Sequence, residues 1–406
     1  MRKAQILIVL PLAIAAIFSC QTQKKISRSF FKNNLNTIVD HYELQTNVIE
    51  QSGEVLNPRT YIDGKIVYVQ PEDWTSGFFP GSMWYLYELT GDAKWKELGT
   101  KYTQALDSVQ YLTTHHDVGF MIGSSYGNGL RLSGNEEYKD VIVQASRSLS
   151  TRFRPVAGVI QSWNVDQGWQ AERGWECPVI IDNMMNLELL FNATKFSGDS
   201  SFYRIAVTHA DNTMKNHFRP DNSTWHVVDY SLTNGSVRNK HTAQGFAHHT
   251  TWARGQSWGI YGFVVCYRET GDEKYLKQAE KAFNYAVKHI NFPKDGIPYW
   301  DYEAPNIPFA NRDVSAAAIM ASALYEMSTY RNSEYYKGWA DKIIENLASP
   351  LYKAMVGNNG YFILKHSVGS IPHGVEIDVP LNYADYYFLE ALKRKKDLET
   401  DKMIKL

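Results

Sequence analysis

A single carboxylate, Asp182, sits in an apolar run, with Val179, Ile180 and Ile181 before it and Met184, Met185 and Leu187 after it. If the run is helical, Val179 and Met185 share its face. A carboxylate placed there is poorly hydrated, which penalises its charged form and raises its pKa. A protonated Asp near neutral pH is what a general acid requires. The alternative is structural, because Asp is a preferred N-cap. Asp182 would then accept a backbone N–H from Met184 or Met185 at the head of a helix over 183–195. This stretch alone leaves both readings open.

Other residues of chemical interest fall in short clusters. They are Asp73-Trp74 with Phe78, His115-His116-Asp117, Asn183, Gln244, Arg254 with Gln256 and Trp258, Arg312-Asp313, and Asn382 with Asp385. Trp163, Trp169, Trp175, Trp225 and Trp300 accompany them. Flat aromatic faces beside polar groups suit a sugar ring, with C–H bonds on the stack and hydroxyls on the polar groups. Each cluster also has a bland reading: Asp73, Asp117 and Asp313 as N-caps, Trp74 and Phe78 as packing. The pairs His115-His116 and His248-His249 invite a metal, but no HExxH or Cys-pair spacing supports one. No phosphate-binding glycine loop is present either, and no cofactor is expected.

The elements that must position these residues repeat. Five times an apolar helical stretch ends in a tight turn, followed by an aromatic residue and an amphipathic stretch. The turns are Gly91-Asp92 before Trp95, Gly134-Asn135 before Tyr138, Gly198-Asp199 before Phe202, Gly271-Asp272 before Tyr275, and Asn332-Ser333 before Tyr335. Gly suits the left-handed position closing one helix, and Asp or Asn caps the next. With a leading helix near Phe31–Ile49 and a closing one at Asn382–Lys393, the pattern predicts six inner and six outer helices. That is an all-α (α/α)6 barrel in one domain, over 29–406. The other connections, 51–76, 108–120, 152–180, 216–252, 291–313 and 351–381, are long, and such loops are usually functional. Asp63-Gly64 and Asn234-Gly235 mark hairpins within two of them. Every long loop leads into an inner helix, so six positive helix ends converge on one mouth and favour an anionic group there.

The chain has 406 residues, 44% hydrophobic and 21% charged, with 26 Tyr, 11 Trp and a net charge of −1. No global field recruits nucleic acid or an anionic membrane. The Lys393–Lys396 run is most simply a solvated helix end. At the N-terminus, Arg2 and Lys3 precede an apolar stretch from Ile6 to Phe18 that ends Ile17-Phe18-Ser19-Cys20. Residues 1–19 read as a lipoprotein signal peptide, Cys20 as the lipidated residue and 20–28 as a polar tether. This predicts a periplasmic or cell-surface protein meeting a membrane only through its anchor, as a monomer or homodimer. Cys177 and Cys266 remain, most simply as buried free thiols.

DWTSGFFPG, HHDVGFM, IDNMMN, TWARGQSWGIYG and LNYADYYFLEAL, in that order, resemble the unsaturated glucuronyl hydrolases of glycoside hydrolase family 88. The resemblance covers nearly all of the mature chain and implies the same (α/α)6 barrel. It implies a substrate carrying the C4=C5 double bond that a polysaccharide lyase leaves on a uronic acid. One Asp protonates C4 and helps water add at C5; the hemiketal rearranges, the ring opens and the remaining sugar departs. By motif, Asp182 takes the acid/base role and Asp117 is the second essential carboxylate, oriented by His116. His226, Gln244, Arg254 and Trp258, with Gln256 beside them, match residues that bind the unsaturated uronate, and Trp74 lines the same subsite. The resemblance does not say which of Trp163, Trp169 and Trp175 stacks on the sugar. The segment 366–380, where the family reads the next sugar or its sulfate, lacks a Ser/Lys sulfate pattern. The expected substrate is a lyase-made oligosaccharide of a glycosaminoglycan or an ulvan-type polymer. Two rivals are a family-105 unsaturated rhamnogalacturonyl hydrolase and a non-catalytic glycan-binding lipoprotein.

Overall fold

The computed structural model describes residues 9–400, with side chains from Phe30 onward. In chain order the helices are α1 (Val9–Ser52), α2 (Phe78–Thr90), α3 (Ala93–Gln104), α4 (Asn128–Ser133), α5 (Glu137–Ser150), the single turn α6 (Gly168–Ala171) and α7 (Leu187–Ser197). They continue with α8 (Ser200–Asn216), α9 (Ala253–Thr270), α10 (Glu273–Lys288), α11 (Val314–Met327), α12 (Ser333–Leu347) and α13 (Asn382–Glu399). A π-helical stretch, Gly119–Gly127, runs into α4, and a 3₁₀ stretch, Ile181–Asn186, runs into α7.

The inner wall is a closed ring: α2 packs on the π stretch, which packs on α7, then α9, α11, α13 and back to α2. Helices α1, α3, α5, α8, α10 and α12 form the outer layer, so the (α/α)6 barrel is observed. The tight turns follow the expected chemistry. Gly91, Gly134, Gly198 and Gly271 adopt φ of 78°, 70°, 74° and 68°, where a Cβ would be strained. Asp92, Asp199 and Asp272 then accept the backbone N–H of Lys94, Ser201 and Lys274 at 3.0, 2.8 and 3.0 Å. The fifth turn replaces Gly with Asn332, itself left-handed at φ 48°. There Tyr336 is buried while Tyr335 is 44% exposed, so the packed aromatic sits one residue later than its spacing suggests.

Three expectations change. Pro178–Ile180 is a strand, β5, not helix: with β6 (Val227–Tyr230) and β7 (Val237–His241) it makes a three-stranded antiparallel sheet. Val179 and Ile180 are β-branched and buried, which favours a strand enclosed on both faces. Helix α7 therefore starts at Leu187, not at 183. Second, Lys393, Arg394 and Lys395 are buried, not solvated. They pair with Glu88 and Asp397, with Glu326 and Glu390, and with Asp341. Third, α1 runs straight through 20–28, which holds no Gly or Pro to stop it. The side chain of Cys20 and residues 1–8 lie outside the described residues. Cys177 and Cys266 are buried free thiols.

The Asp63-Gly64 and Asn234-Gly235 turns join β1 (Asn57–Ile62) to β2 (Lys65–Val69) and β6 to β7. Two hairpins are unforeseen: β3 (Phe153–Arg154) with β4 (Val159–Ile160), and β8 (Ser367–Ser370) with β9 (Val375–Val379). All of these lie in the long connections. At the opposite end, between the tight turns, a cavity of about 600 Å³ is lined by ion-paired groups such as Arg131, Arg268, Arg394, Glu188 and Glu390.

Candidate active site

Two carboxylates reach the mouth from neighbouring entrances. Asp182 lies in the first turn of the 3₁₀ stretch. The capping positions there and at α7 are Ile180 and Asn186, and neither turn has a side-chain cap, so Asp182 is not serving as an N-cap. Its residue is 7% exposed and its Oδ2 has no hydrogen-bond partner. Burial pushes its pKa up to about 7; Asp117 adds to the rise and Arg254 opposes it.

Asp117 behaves oppositely. Burial pushes it upward, but His116, His115 and Arg152 outweigh that and hold it below the usual carboxylate range. His115 Nδ1 is 3.1 Å from Asp117 Oδ2, and His116 Nε2 is 3.3 Å from Oδ1. Burial lowers the pKa of His116 to about 4, so this ring is neutral. One carboxyl is thus protonated and the other ionised near neutral pH, which separates acid from anion.

His226 is fully buried and also neutral, its pKa driven down by burial and by the charge of Arg254. Its Nδ1 receives the backbone N–H groups of Ala243 and Gln244 at 3.1 and 3.2 Å. Backbone N–H can only donate, so the ring proton sits on Nε2, 3.8 Å from Asp182 Oδ2. His226 Nε2, His116 Nε2, Trp258 Nε1 and Arg254 Nε are all buried without a hydrogen-bond partner. Other buried donors are also unmet, such as Trp95 Nε1 and Arg219 Nε, so it is the grouping of these four that carries weight. Grouped around an unpartnered carboxyl oxygen, they fit an oxygen-rich ligand.

Aromatic rings close the pocket floor. Trp74 meets Phe120 at 5.5 Å and Tyr383 at 4.9 Å between centroids, and Phe120 meets Trp258 at 5.1 Å. Trp163 lies edge-on to His226 at 6.1 Å, whereas Trp175 is buried, bonded to His241. Trp169 packs on His373 of the β8–β9 connection. Of the three, Trp163 is the one beside the pocket.

A model of glycosyl hydrolase family 88 matches residues 55–394. The chain belongs to glycoside hydrolase family 88. It is 48% identical over 331 residues to an unsaturated glucuronyl hydrolase of Formosa agariphila, covering 81% of this chain and 82% of that one. To an unsaturated glucuronyl hydrolase of a Bacillus species it is 32% identical over 343 residues, covering 82% and 89%. Among solved structures, an unsaturated glucuronyl hydrolase specific for heparin superposes with a TM-score of 0.87 at 42% identity, over 92% of this chain and 98% of that one.

Within this family-88 barrel the sequence-expected residues divide. Asp182, Asp117, His116, His226, Trp258 and Trp74 converge on the pocket. Arg254 arrives there differently from expectation. Its Nη1 bonds Asp313 Oδ2 at 3.0 Å and the Val368 carbonyl, and its Nη2 bonds Gln244 Oε1 and the Gly369 carbonyl, each at 2.8 Å. Only Nε remains for a ligand, so no bidentate grip on a carboxylate is available. Gln244 is correspondingly held through its carbonyl. Gln256 does not serve the pocket at all: Oε1 accepts from Thr224 N, and Nε2 donates to the Asn222 and Ala282 carbonyls. It ties the 216–252 loop to the barrel. Asp313 is an N-cap, bonding Ser315 N at 3.1 Å, as its bland reading held. Missed by sequence were Arg152, Ser162 and Asn186, whose partners are distant in the chain. His115 was read as half of a pair that invites a metal, and it instead pairs with Asp117.

Proposed function

We propose that this protein removes the non-reducing-end 4,5-unsaturated uronic acid from lyase-generated oligosaccharides of an anionic polysaccharide, by hydration of the C4=C5 bond. The observation carrying this reading is the raised, unpartnered carboxyl of Asp182 beneath four unmet N–H donors. Protonated Asp182 delivers its proton to C4. Its ionised form then takes a proton from the water that attacks C5, so a single carboxyl serves as acid and base. Ionised Asp117, with neutral His116 and His226 as donors, fixes the ring hydroxyls and the uronate. Trp74 supplies an apolar face for the ring, backed by the buried rings of Phe120 and Trp258. The name of the solved heparin-specific neighbour supports a glycosaminoglycan source for the substrate.

An ordinary glycosidase places two carboxylates across the anomeric carbon and is indifferent to a distant double bond. Here a lyase-made disaccharide should lose its ultraviolet absorbance during turnover, and in heavy water the product should carry deuterium at C4. The saturated disaccharide should stay intact. Equal cleavage of both compounds, without deuterium at C4, would sink the hydration reading.

The lipid anchor belongs to the same proposal, and Cys20 after Ile17-Phe18-Ser19 supports it. Cys20→Ala should release the protein from the membrane fraction or block its processing, since an acyl chain contributes about 0.8 kcal/mol per buried CH₂. Unchanged fractionation would refute the anchor.

A further inference from the structure

Both pocket histidines are held through Nδ1, but by different means. For His226 the two donors are backbone N–H groups. For His116 they are side chains, and one belongs to Asn186, the second Asn of IDNMMN. Asn186 Oδ1 accepts the Phe120 backbone N–H at 3.1 Å, so the amide nitrogen must be the end facing His116 Nδ1, at 3.4 Å. Ser162 Oγ accepts the Ile180 N–H at 2.9 Å, which leaves its own hydrogen for His116 Nδ1 at 3.5 Å. Asn186 and Ser162 thus both present donors to that nitrogen, which accepts from them. The Asn183 amide, whose nitrogen is spent on the Ile160 carbonyl, also acts on the ring and favours its protonated form.

We infer that Asn186 is a positioning residue that fixes the tautomer of His116, keeping its Nε2–H directed at Asp117 and the substrate. The opposite tautomer would turn a lone pair toward the Asp117 carboxylate and withdraw a donor from the substrate. The clamp is tight: a Cβ on Gly119 would lie 2.5 Å from the Cα and Oδ1 of Asn186, so only Gly lets the π stretch approach. Asn186 thereby joins the second and third entrances. The charged groups acting on His116 are Asp117, which favours protonation, and His115 and Arg152, which oppose it; His209 and His226 also lie within its field. The mechanistic meaning rests on the proposed hydration reaction, whereas the tautomer can be measured without it.

Nitrogen-15 spectra of histidine-labelled mature protein test the inference directly. His116 should show a protonated Nε2 and a bare Nδ1 across pH 5.5 to 8. Asn186→Asp keeps an acceptor for Phe120 N–H but offers a carboxylate oxygen to Nδ1. It should move the proton to Nδ1 and lower kcat by about 10²–10⁴-fold, with KM little changed, as a wrong tautomer does. Its kcat profile should also gain an ionisation near the ordinary histidine value of about 6.5. A wild-type Nδ1–H tautomer would overturn the inference, as would an Asn186→Asp enzyme with unaltered kcat and pH profile. If the variant does not fold, the wild-type spectrum decides. A wild type that leaves the unsaturated disaccharide untouched refutes the proposed function instead.

Discussion

Asp182→Asn should abolish turnover, lowering kcat by about 10²–10⁴-fold or more, while making the folded protein more stable at alkaline pH. The two effects share a cause. Burial lifts the Asp182 pKa from 3.8 to about 7 in the folded state. A carboxyl raised in this way has the opposite sign to a salt-bridged one. It carries no penalty below pH 4, where it is protonated in both folded and unfolded chains. The penalty grows from pH 4 to 7 and is complete above 7. The rise corresponds to about 4 kcal/mol as an order of magnitude. The Asn side chain does not titrate, so the melting temperature of the variant should exceed that of wild type at pH 8 and converge on it near pH 4. Wild-type kcat/KM should fall above pH 7 as Asp182 ionises. Its acidic limb should lie below the usual carboxylate range, because Asp117 is held down by His116, His115 and Arg152. Wild-type turnover in Asp182→Asn would reduce this residue to a buried curiosity. A variant less stable than wild type at pH 8 would overturn the desolvation account.

Arg254→Leu should destabilise the barrel by about 3–5 kcal/mol, the range for breaking a buried ion pair from one side. Arg254 is 2% exposed and Asp313 is fully buried. Removing the guanidinium leaves Asp313 Oδ2 without its counter-ion, and frees the Val368 and Gly369 carbonyls of β8. The hairpin over the mouth should loosen, so kcat/KM falls together with the melting temperature. Asp313→Asn placed on top of Arg254→Leu should recover much of the stability, because the lone charge is then gone, without recovering activity. A cost below about 1 kcal/mol for Arg254→Leu would mean that the arginine exists for the ligand and not for the scaffold.

The scaffold was legible wherever its cause is local. A Gly that closes one helix and an Asp that caps the next occupy neighbouring positions, so four turns and their antiparallel helices could be read from the chain. Asp63-Gly64 and Asn234-Gly235 encode their own hairpins for the same reason. Legibility failed where a distant partner decides. Pro178–Ile180 is a strand because β6 lies beside it, and Lys393, Arg394 and Lys395 are buried because acids from α2, α11 and α12 meet them. The site divides similarly. Asp182 and Asp117 stood out as carboxylates in unusual company. The bonds that consume Gln256 and nearly all of Arg254 reach residues 10 to 115 positions away, and nothing adjacent to either residue announces them.

The C-terminal helix and the Phe30–Phe31 turn of α1 meet at one face of the barrel. Helix α13 enters at the mouth, where Asn382 bonds the carbonyls of Pro58 and Thr75, and it leaves among the tight turns. There the Lys395 and Lys396 ammonium groups lie over the rings of Phe30 and Phe31 at 5.9 and 5.4 Å. Helix α1 therefore rises from that face toward the mouth, and its described turns before Phe30 lie on the side opposite the pocket. An acyl group on Cys20 would grip the bilayer from behind. The barrel would stand on the membrane like a cup on its base, its opening turned outward to oligosaccharides diffusing in from the medium.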